Sequence, residues 1–415
     1  MNDNLAEQLF FSKEAADFLG ITVQRLNKLV QEGKIKPLKK NPSGTVYHIS
    51  ELNKRKEELE IFSEIKQGGG KGMFKFDTKA KIEALNYSTL MNVLDYTEKR
   101  LEPLFDDFAK VNKVDEPMDK MEVCQKYAEF FEIDPLFLMD EYKKAYRAFL
   151  TLKEDDEIIK RGSYDYPPLL AKTKEAPRFL YIRGKKSLLF EERTVALVGS
   201  RQASENARAN TRRLADALGK NGITIVSGLA KGIDVSAHVE ALKMGFNTIA
   251  VIGTNLNQYY PTENKEVQLE IERKGLVVSQ FSPASKTQRW FFPLRNGVMS
   301  GLSLATVIME AGETSGALKQ ADFALKQGRQ ILIPESALRI EAISWPKKYV
   351  ERGATVVQKP SDVLEILADN NIFKIEDVEP VQQTLMDYIK EMETQKTKVK
   401  KSFVSDWNKP VLVEG

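Results

Sequence analysis

Apolar positions change their period several times along the chain, and each change predicts a different element. Ser12 is placed to cap a helix running through Leu19, which Gly20 stops. Thr22 caps a second, whose Leu26, Leu29 and Val30 form an i, i+3, i+4 face before Gly33 ends it. Lys36–Ile49 fits two short strands around Asn41-Pro42-Ser43-Gly44, a turn sequence, and Ser50 can cap a third helix rich in charge. From about 78 to 160 the period is helical, through Leu90, Val93 and Leu94, then Leu101, Leu104, Phe105 and Phe108, then Tyr142, Tyr146, Phe149 and Leu150. From about 190 to 370 short, nearly continuous apolar runs take over: Thr194–Val198, Ile223–Val226, Thr248–Ile252, Leu276–Val278, Leu304–Met309 and Gln330–Ile333. Helical stretches separate them. That alternation predicts a doubly wound α/β domain, a parallel sheet covered by helices on both faces.

These changes divide the chain into a head (1–66), a linker (67–77) around Gln67-Gly68-Gly69-Gly70-Lys71-Gly72, a helical segment (78–160), a sheet domain (161–370) and a C-terminal stretch (371–415). The last holds one predicted helix, Val381–Glu393, and a basic tail with Lys396, Lys398, Lys400 and Lys401. The net charge of +3 conceals an opposition between zones. Residues 25–56 carry nine Lys/Arg against two Asp/Glu, and residues 91–160 carry eleven against eighteen. One cysteine, Cys124, excludes an intrachain disulfide or a multi-cysteine metal site, and His48 and His238 are too distant in sequence for a local metal-binding pair. No apolar run approaches the ~18 residues of a membrane span and no signal sequence is evident, so a cytoplasmic protein without membrane contact is expected.

In an open parallel sheet, ligands bind beyond the strand C-termini. Four such ends are rich in small residues: Gly199-Ser200-Arg201, Ser227-Gly228-Leu229-Ala230-Lys231-Gly232, Gly253-Thr254, and Glu310-Ala311-Gly312-Glu313-Thr314-Ser315-Gly316. Small residues let backbone N–H groups approach a phosphate, and Arg201 could clamp one bidentately or instead pair with Glu205. Neither a dinucleotide fingerprint nor a Walker-type loop is present, so no cofactor is expected. Asp234 and His238 lie near Ser227 and Ser236, but no nucleophile elbow accompanies them; helix entry for Asp234 and packing for His238 fit better. Gln288-Arg289-Trp290-Phe291-Phe292-Pro293-Leu294-Arg295-Asn296 interleaves cations and rings, a pattern that suits a single nucleic-acid strand or a helix core equally well.

Taken together, Tyr166–Leu170, Pro177–Gly184, Val198–Arg201, Ser227–His238, Tyr260-Pro261 with Asn264, Phe292–Asn296, Ser300–Ser303 and Glu310–Arg329 resemble the DNA-processing protein A (DprA, or Smf) family, across roughly Ser163 to Leu367. The resemblance implies a Rossmann-like fold that binds single-stranded DNA without catalysis, forms a homodimer and assists a RecA-type recombinase. It implies DNA contacts at Arg201, Lys231, Lys265 and Arg295, with Gly199, Ser200, Ser227, Gly228, Asn296, Ser315 and Gly316 forming the pocket around them. Three motif positions differ from the family pattern: the Arg-Asn-Arg triplet reads Arg295-Asn296-Gly297, the Tyr-Gly after the Gly-Ser-Arg loop is replaced by Glu205-Asn206-Ala207, and the Pro-Gly after the last strand reads Pro334-Glu335.

The front of the chain resembles a MerR- or excisionase-type winged helix-turn-helix. That implies duplex DNA as a partner, with Val23–Gln31 in the major groove, the 41–44 wing on the backbone, and Arg25, Asn27, Lys28, Lys39 and Lys40 as contacts. The same basic face would also suit a protein-docking module. The leading expectation is therefore a single-strand-binding module joined to a duplex-reading head. The alternatives are a nucleotide-sensing regulator and a nucleoside-monophosphate phosphoribohydrolase of the wider superfamily.

Overall fold

The structure, a computed structural model, describes residues 9–41, 44–53, 55–56 and 74–369. The predicted linker at 67–72, the helix at 381–393, the basic tail, and Pro42 and Ser43 of the wing lie outside the described residues. The chain forms two compact units, Met1–Phe76 and Asp77–Gly415.

In the first unit, β1 (Leu9–Phe11), β2 (Lys39–Asn41) and β3 (Gly44–His48) make an antiparallel sheet in the order β1-β3-β2. The helices α1 (Ser12–Phe18) and α2 (Val23–Gln31) pack on it, and the described residues 49–53 and 55–56 are helical as well. Thr22 caps α2, its hydroxyl accepting from Arg25 N at 3.2 Å. Ser12, expected as a cap, is instead the first helical residue of α1: Phe11 takes the cap position, and its N–H donates to Glu14 Oε2 at 2.8 Å. The core is built from Ala15, Ala16, Leu19, Leu26, Leu29, Ile35, Tyr47 and Leu52, so the α2 face predicted from Leu26 and Leu29 points inward. Its basic face is consequently turned to solvent.

The second unit centres on a nine-stranded sheet, ordered β12-β11-β10-β6-β7-β8-β9-β5-β4. Seven strands are parallel: β6 (Thr194–Gly199), β7 (Thr224–Ser227), β8 (Thr248–Val251), β9 (Leu276–Ser279), β10 (Ala305–Glu310), β11 (Gln330–Pro334) and β12 (Thr355–Val357). Two antiparallel strands, β4 (Glu157–Lys160) and β5 (Phe179–Gly184), extend one side. The domain boundary expected at 160/161 thus falls within the sheet. Four helices pack at that side: α3 (Lys79–Leu94), α4 (Glu98–Ala109), α5 (Met121–Phe130) and α6 (Pro135–Phe149). The remaining principal helices are α7 (Glu205–Lys220), α8 (Ile233–Met244), α9 (Lys265–Lys274), α10 (Phe291–Gly301), α11 (Gly316–Lys326) and α12 (Pro360–Asp369).

Each face of the sheet has its own core. Val195, Leu197, Ile225, Val307 and Leu332 meet α7, α8 and α12, while Ala196, Val198, Val226, Ile308 and Ile331 meet α10 and α11. Alternate residues of one strand serve opposite layers, which is why the strands read as unbroken apolar runs. The strand order reverses between β6 and β10: chain order runs outward from β6 to β9, then returns to β10 on the other side. Loops leaving β6 and β10 diverge there and open a crevice at the strand C-termini. Among the described residues, no helix is long and apolar enough to cross a membrane.

Candidate nucleic-acid interface

The crevice is a cavity of about 730 Å3. Its walls come from the β6 end (Gly199, Ser200, Arg201, Gln202), the start of α8 (Ala230, Asp234), the α10 region (Arg289, Phe292, Arg295, Asn296) and the loop into α11 (Gly312, Thr314, Ser315, Gly316, Lys319). Two glycines are fixed by close approach. A Cβ on Gly199 would collide with the Ile233 side chain and the Glu310 carbonyl, and Gly232, at φ 76°, packs against the Ser200 carbonyl. Backbone bonds hold these loops together: Ser200 N donates to Glu310 O at 2.6 Å and Ile233 N to Ser200 O at 3.3 Å. Ser315 caps α11, accepting from Ala317 N, while Gly312 and Gly316 have open space where a side chain would stand. Backbone donors of that helix start are therefore within reach of an anion.

Arg201, Arg289 and Lys319 line this cavity, and none forms an ion pair among the described residues. Arg201 lies 6.0 Å from the centre of the Phe292 ring, which stacks obliquely on Tyr260 at 5.1 Å. Tyr260, which lines the cavity, is 49% exposed and leaves ring surface for a base beside the cations, whereas Trp290 lines a separate pocket with Tyr87, Tyr181 and Phe281. Arg295 plays a different part. It is buried, donating to the carbonyl oxygens of Gly228 at 2.6 Å and of Val251, and burial pushes its guanidinium down to about 10, so it stays charged at neutral pH. Buried Asp234 is its electrostatic counterpart, and burial raises the Asp234 carboxyl. A cation held by carbonyls supplies positive potential to the cavity without exposing its head.

The structure brings Gly199, Ser200, Arg201, Arg295, Asn296, Ser315 and Gly316 to one cavity. Ser227 requires correction as a contact: it is fully buried, its hydroxyl donating to Leu197 O at 2.6 Å, so it joins β7 to β6 and offers no surface. Gly228 lies beneath the Arg295 guanidinium, where any Cβ would displace that side chain. Lys231 is exposed but pairs with Glu263, and Lys265 lies 5.4 Å from the Tyr259 ring; neither lines the cavity. Asn296 donates to Gly316 O at 3.2 Å and so fastens α10 to the start of α11. Lys319, Gln202 and Thr314 are lining residues that the sequence reading passed over. Lys319 follows the glycine-rich strand end by one helical turn, a spacing that could have identified it.

Among the described residues, Ser227, Ser236 and His238 do not assemble into a nucleophile–base pair. His238 is buried, with burial lowering it to about 3, and therefore neutral. Its Nδ1 shares a 2.7 Å hydrogen bond with Thr248 Oγ1, which also lies 3.0 Å from Ile225 O. Ser236 donates to Gly232 O and Ser227 to Leu197 O, which leaves neither hydroxyl facing the imidazole. In the head, Arg25, Asn27, Lys28, Lys39 and Lys40 are all exposed. Lys28 lies 4.0 Å from Glu32, a loose surface pair.

An open α/β sheet with a cation-lined cavity at its topological reversal places the second unit in the doubly wound class. Comparison with known proteins makes this specific. The profile of the DNA recombination-mediator protein A family matches residues 157–368, and the chain belongs to that family. The DNA processing protein DprA of Streptococcus pneumoniae is 32% identical over 287 residues, covering 69% of this chain and 95% of that protein. DprA of Bacillus subtilis is 31% identical over 232 residues, 56% of this chain and 78% of the relative. The X-ray structure of the Streptococcus pneumoniae protein superposes with a TM-score of 0.56 at 28% identity, over 69% of this chain and 97% of that one.

Proposed function

We propose that the sheet unit binds single-stranded DNA non-enzymatically in the strand-end cavity. The observation that carries this reading is the combination of three cavity cations without ion-pair partners among the described residues, the buried Arg295 and the exposed ring of Tyr260. Phosphates would meet Arg201, Arg289, Lys319 and the start of α11, with bases lying against Tyr260. Lys231 and Lys265 would extend the track outside the cavity. The internal commitments of Ser227, Ser236 and His238 support a binding role over a hydrolytic one. Glu310, at the strand end comparable to a phosphoribohydrolase motif, accepts from both Ser204 N and Ser204 Oγ, which argues against that alternative.

The head would read duplex DNA through α2 and the wing, and the whole protein would act in the cytoplasm as a homodimer that helps load a RecA-type recombinase. Salt-titrated binding of single- and double-stranded DNA to the intact chain, Arg201→Ala and Lys265→Ala tests the pocket. Arg201→Ala should lose at least tenfold in single-strand affinity and Lys265→Ala less; unchanged affinity in both removes the pocket assignment. Deleting residues 1–66 should weaken duplex binding alone, and an unchanged duplex affinity removes the head's role.

A further inference from the structure

The acidic helices carry an apolar surface that the DNA-binding reading does not use. At the turn joining α5 to α6, Phe130, Leu136 and Phe137 are 42%, 59% and 50% exposed. Phe130 and Phe131 pack their rings on Phe108 at 5.2 and 5.8 Å. This ring cluster fixes the patch. Around it, Tyr127–Tyr142 contains five carboxylates (Glu129, Glu132, Asp134, Asp140 and Glu141) and no Lys or Arg. Glu129, Glu132 and Asp134 are exposed, and Asp134 also caps α6, accepting from Phe137 N at 2.8 Å. An apolar surface whose border carries an acidic excess, with Lys126 the cation one turn before Phe130, selects a basic segment with large apolar side chains on one side.

The chain itself contains such a segment. Residues 396–409 hold five lysines (Lys396, Lys398, Lys400, Lys401 and Lys409) and one acid, Asp406. Val399, Phe403 and Trp407 recur at four-residue spacing, the pattern of apolar anchors read by a surface groove. The described chain ends in α12, at the β12 side of the sheet, whereas the acidic helices pack at the β4 side. Eight strand spacings separate those sides, about 38 Å at ~4.8 Å each. The 26 residues from 370 to 395 can span about 85 Å when extended, so the tail of the same chain can reach.

We propose that the apolar corner between α5 and α6 is the docking site for this chain's own basic C-terminal segment, Lys396–Lys409. Phe403 and Trp407 cover Leu136 and Phe137, and the lysines face Glu129, Glu132 and Asp134. The contact draws on apolar burial for hold and on charge for orientation, so salt weakens it without abolishing the apolar component.

The test uses the full chain with p-benzoylphenylalanine in place of Leu136, a substitution at an exposed position. After irradiation, the cross-linked peptides should map to residues 396–409. The yield should fall at least fivefold when Phe403→Asp and Trp407→Asp are combined, and at least twofold in about 0.5 M salt. A synthetic peptide of residues 394–412 should compete for the cross-link. Cross-links that map elsewhere, including to the helices of a second copy, would overturn the proposal, as would a yield insensitive to the two substitutions. Far-ultraviolet circular dichroism of the substituted chain confirms that the helices persist.

Discussion

Arginines serve two regions of the sheet unit in opposite ways. At the β5 side, Arg178 and Arg183 are buried and surrounded by carboxylates. Arg183 forms a two-pronged pair with Asp156, both contacts 2.6 Å, and Arg178 donates to Glu83 at 2.9 Å and Asp106 at 2.6 Å. Lys160 and Arg161 join this network through Glu83 and Glu102. Glu83, Glu102 and Asp106 come from α3 and α4, and their cations Lys160, Arg161 and Arg178 from β4 or residues flanking β4 and β5. Part of the acidic excess of α3–α6 therefore holds helices to the sheet, whereas Asp156, just before β4, ties that strand to β5 through Arg183. At the strand-end cavity, Arg201 and Arg289 have no carboxylate partner among the described residues, and the lone lining acid, Asp234, is buried opposite Arg295. The same side chain is structural where acids meet it and available for a ligand where they do not.

The most severe way to sharpen this contrast is to truncate one arginine in each region. Arg183→Ala strands the buried Asp156 and should cost about 3–5 kcal/mol in urea unfolding, whereas Arg201→Ala should stay within about 0.5 kcal/mol. Equal losses would break the contrast. Arg295→Ala should fall between, at about 2 kcal/mol, because two backbone carbonyls lose a charged donor and Asp234 loses its counter-charge.

Glu98 offers a subtler test at the β5 side. Its carboxylate accepts from Arg178 N, yet burial holds it up near 7 against an ordinary 4.5. The folded state therefore keeps a proton that the unfolded state has lost between those values. Its contribution to stability is fully present below about 4.5 and is lost as pH rises through about 7, by about 3 kcal/mol in all. Buried His238, held near 3, acts in the reverse sense, losing stability as pH falls below its ordinary 6.5. Subtracting the pH profile of Glu98→Gln from that of the intact chain isolates the carboxyl, and a flat difference would remove this assignment. The smallest effect is in salt dependence. Each of Arg201→Ala, Arg289→Ala and Lys319→Ala should lower the log–log slope of single-strand affinity by about 0.7, while Lys160→Ala should leave it unchanged.

Much of the sheet could be read from residue order because β6 to β11 are buried on both faces and present unbroken apolar runs. The added strands escaped for separate reasons. Arg183 interrupts β5 and is tolerated only because Asp156 is at hand, β4 is bounded by charge, and β12 is three residues long. The strand-end loops were evident from their small residues. The direction of each side chain was not: nothing local tells that Ser227 turns toward Leu197, or that Glu263, 32 positions away, occupies Lys231.

The cavity draws its wall from Gly199–Gln202, Arg289–Asn296 and Gly312–Gln320, segments that meet only when β6 and β10 are paired. A chain with that pairing unmade has no site, so occupancy and sheet assembly are linked equilibria. Strand DNA at a hundred times its dissociation constant would raise the unfolding free energy by about 2.7 kcal/mol. The ligand would thereby act as a fastener across the seam where the two halves of the sheet are joined, protecting the protein against unfolding as well as being held by it.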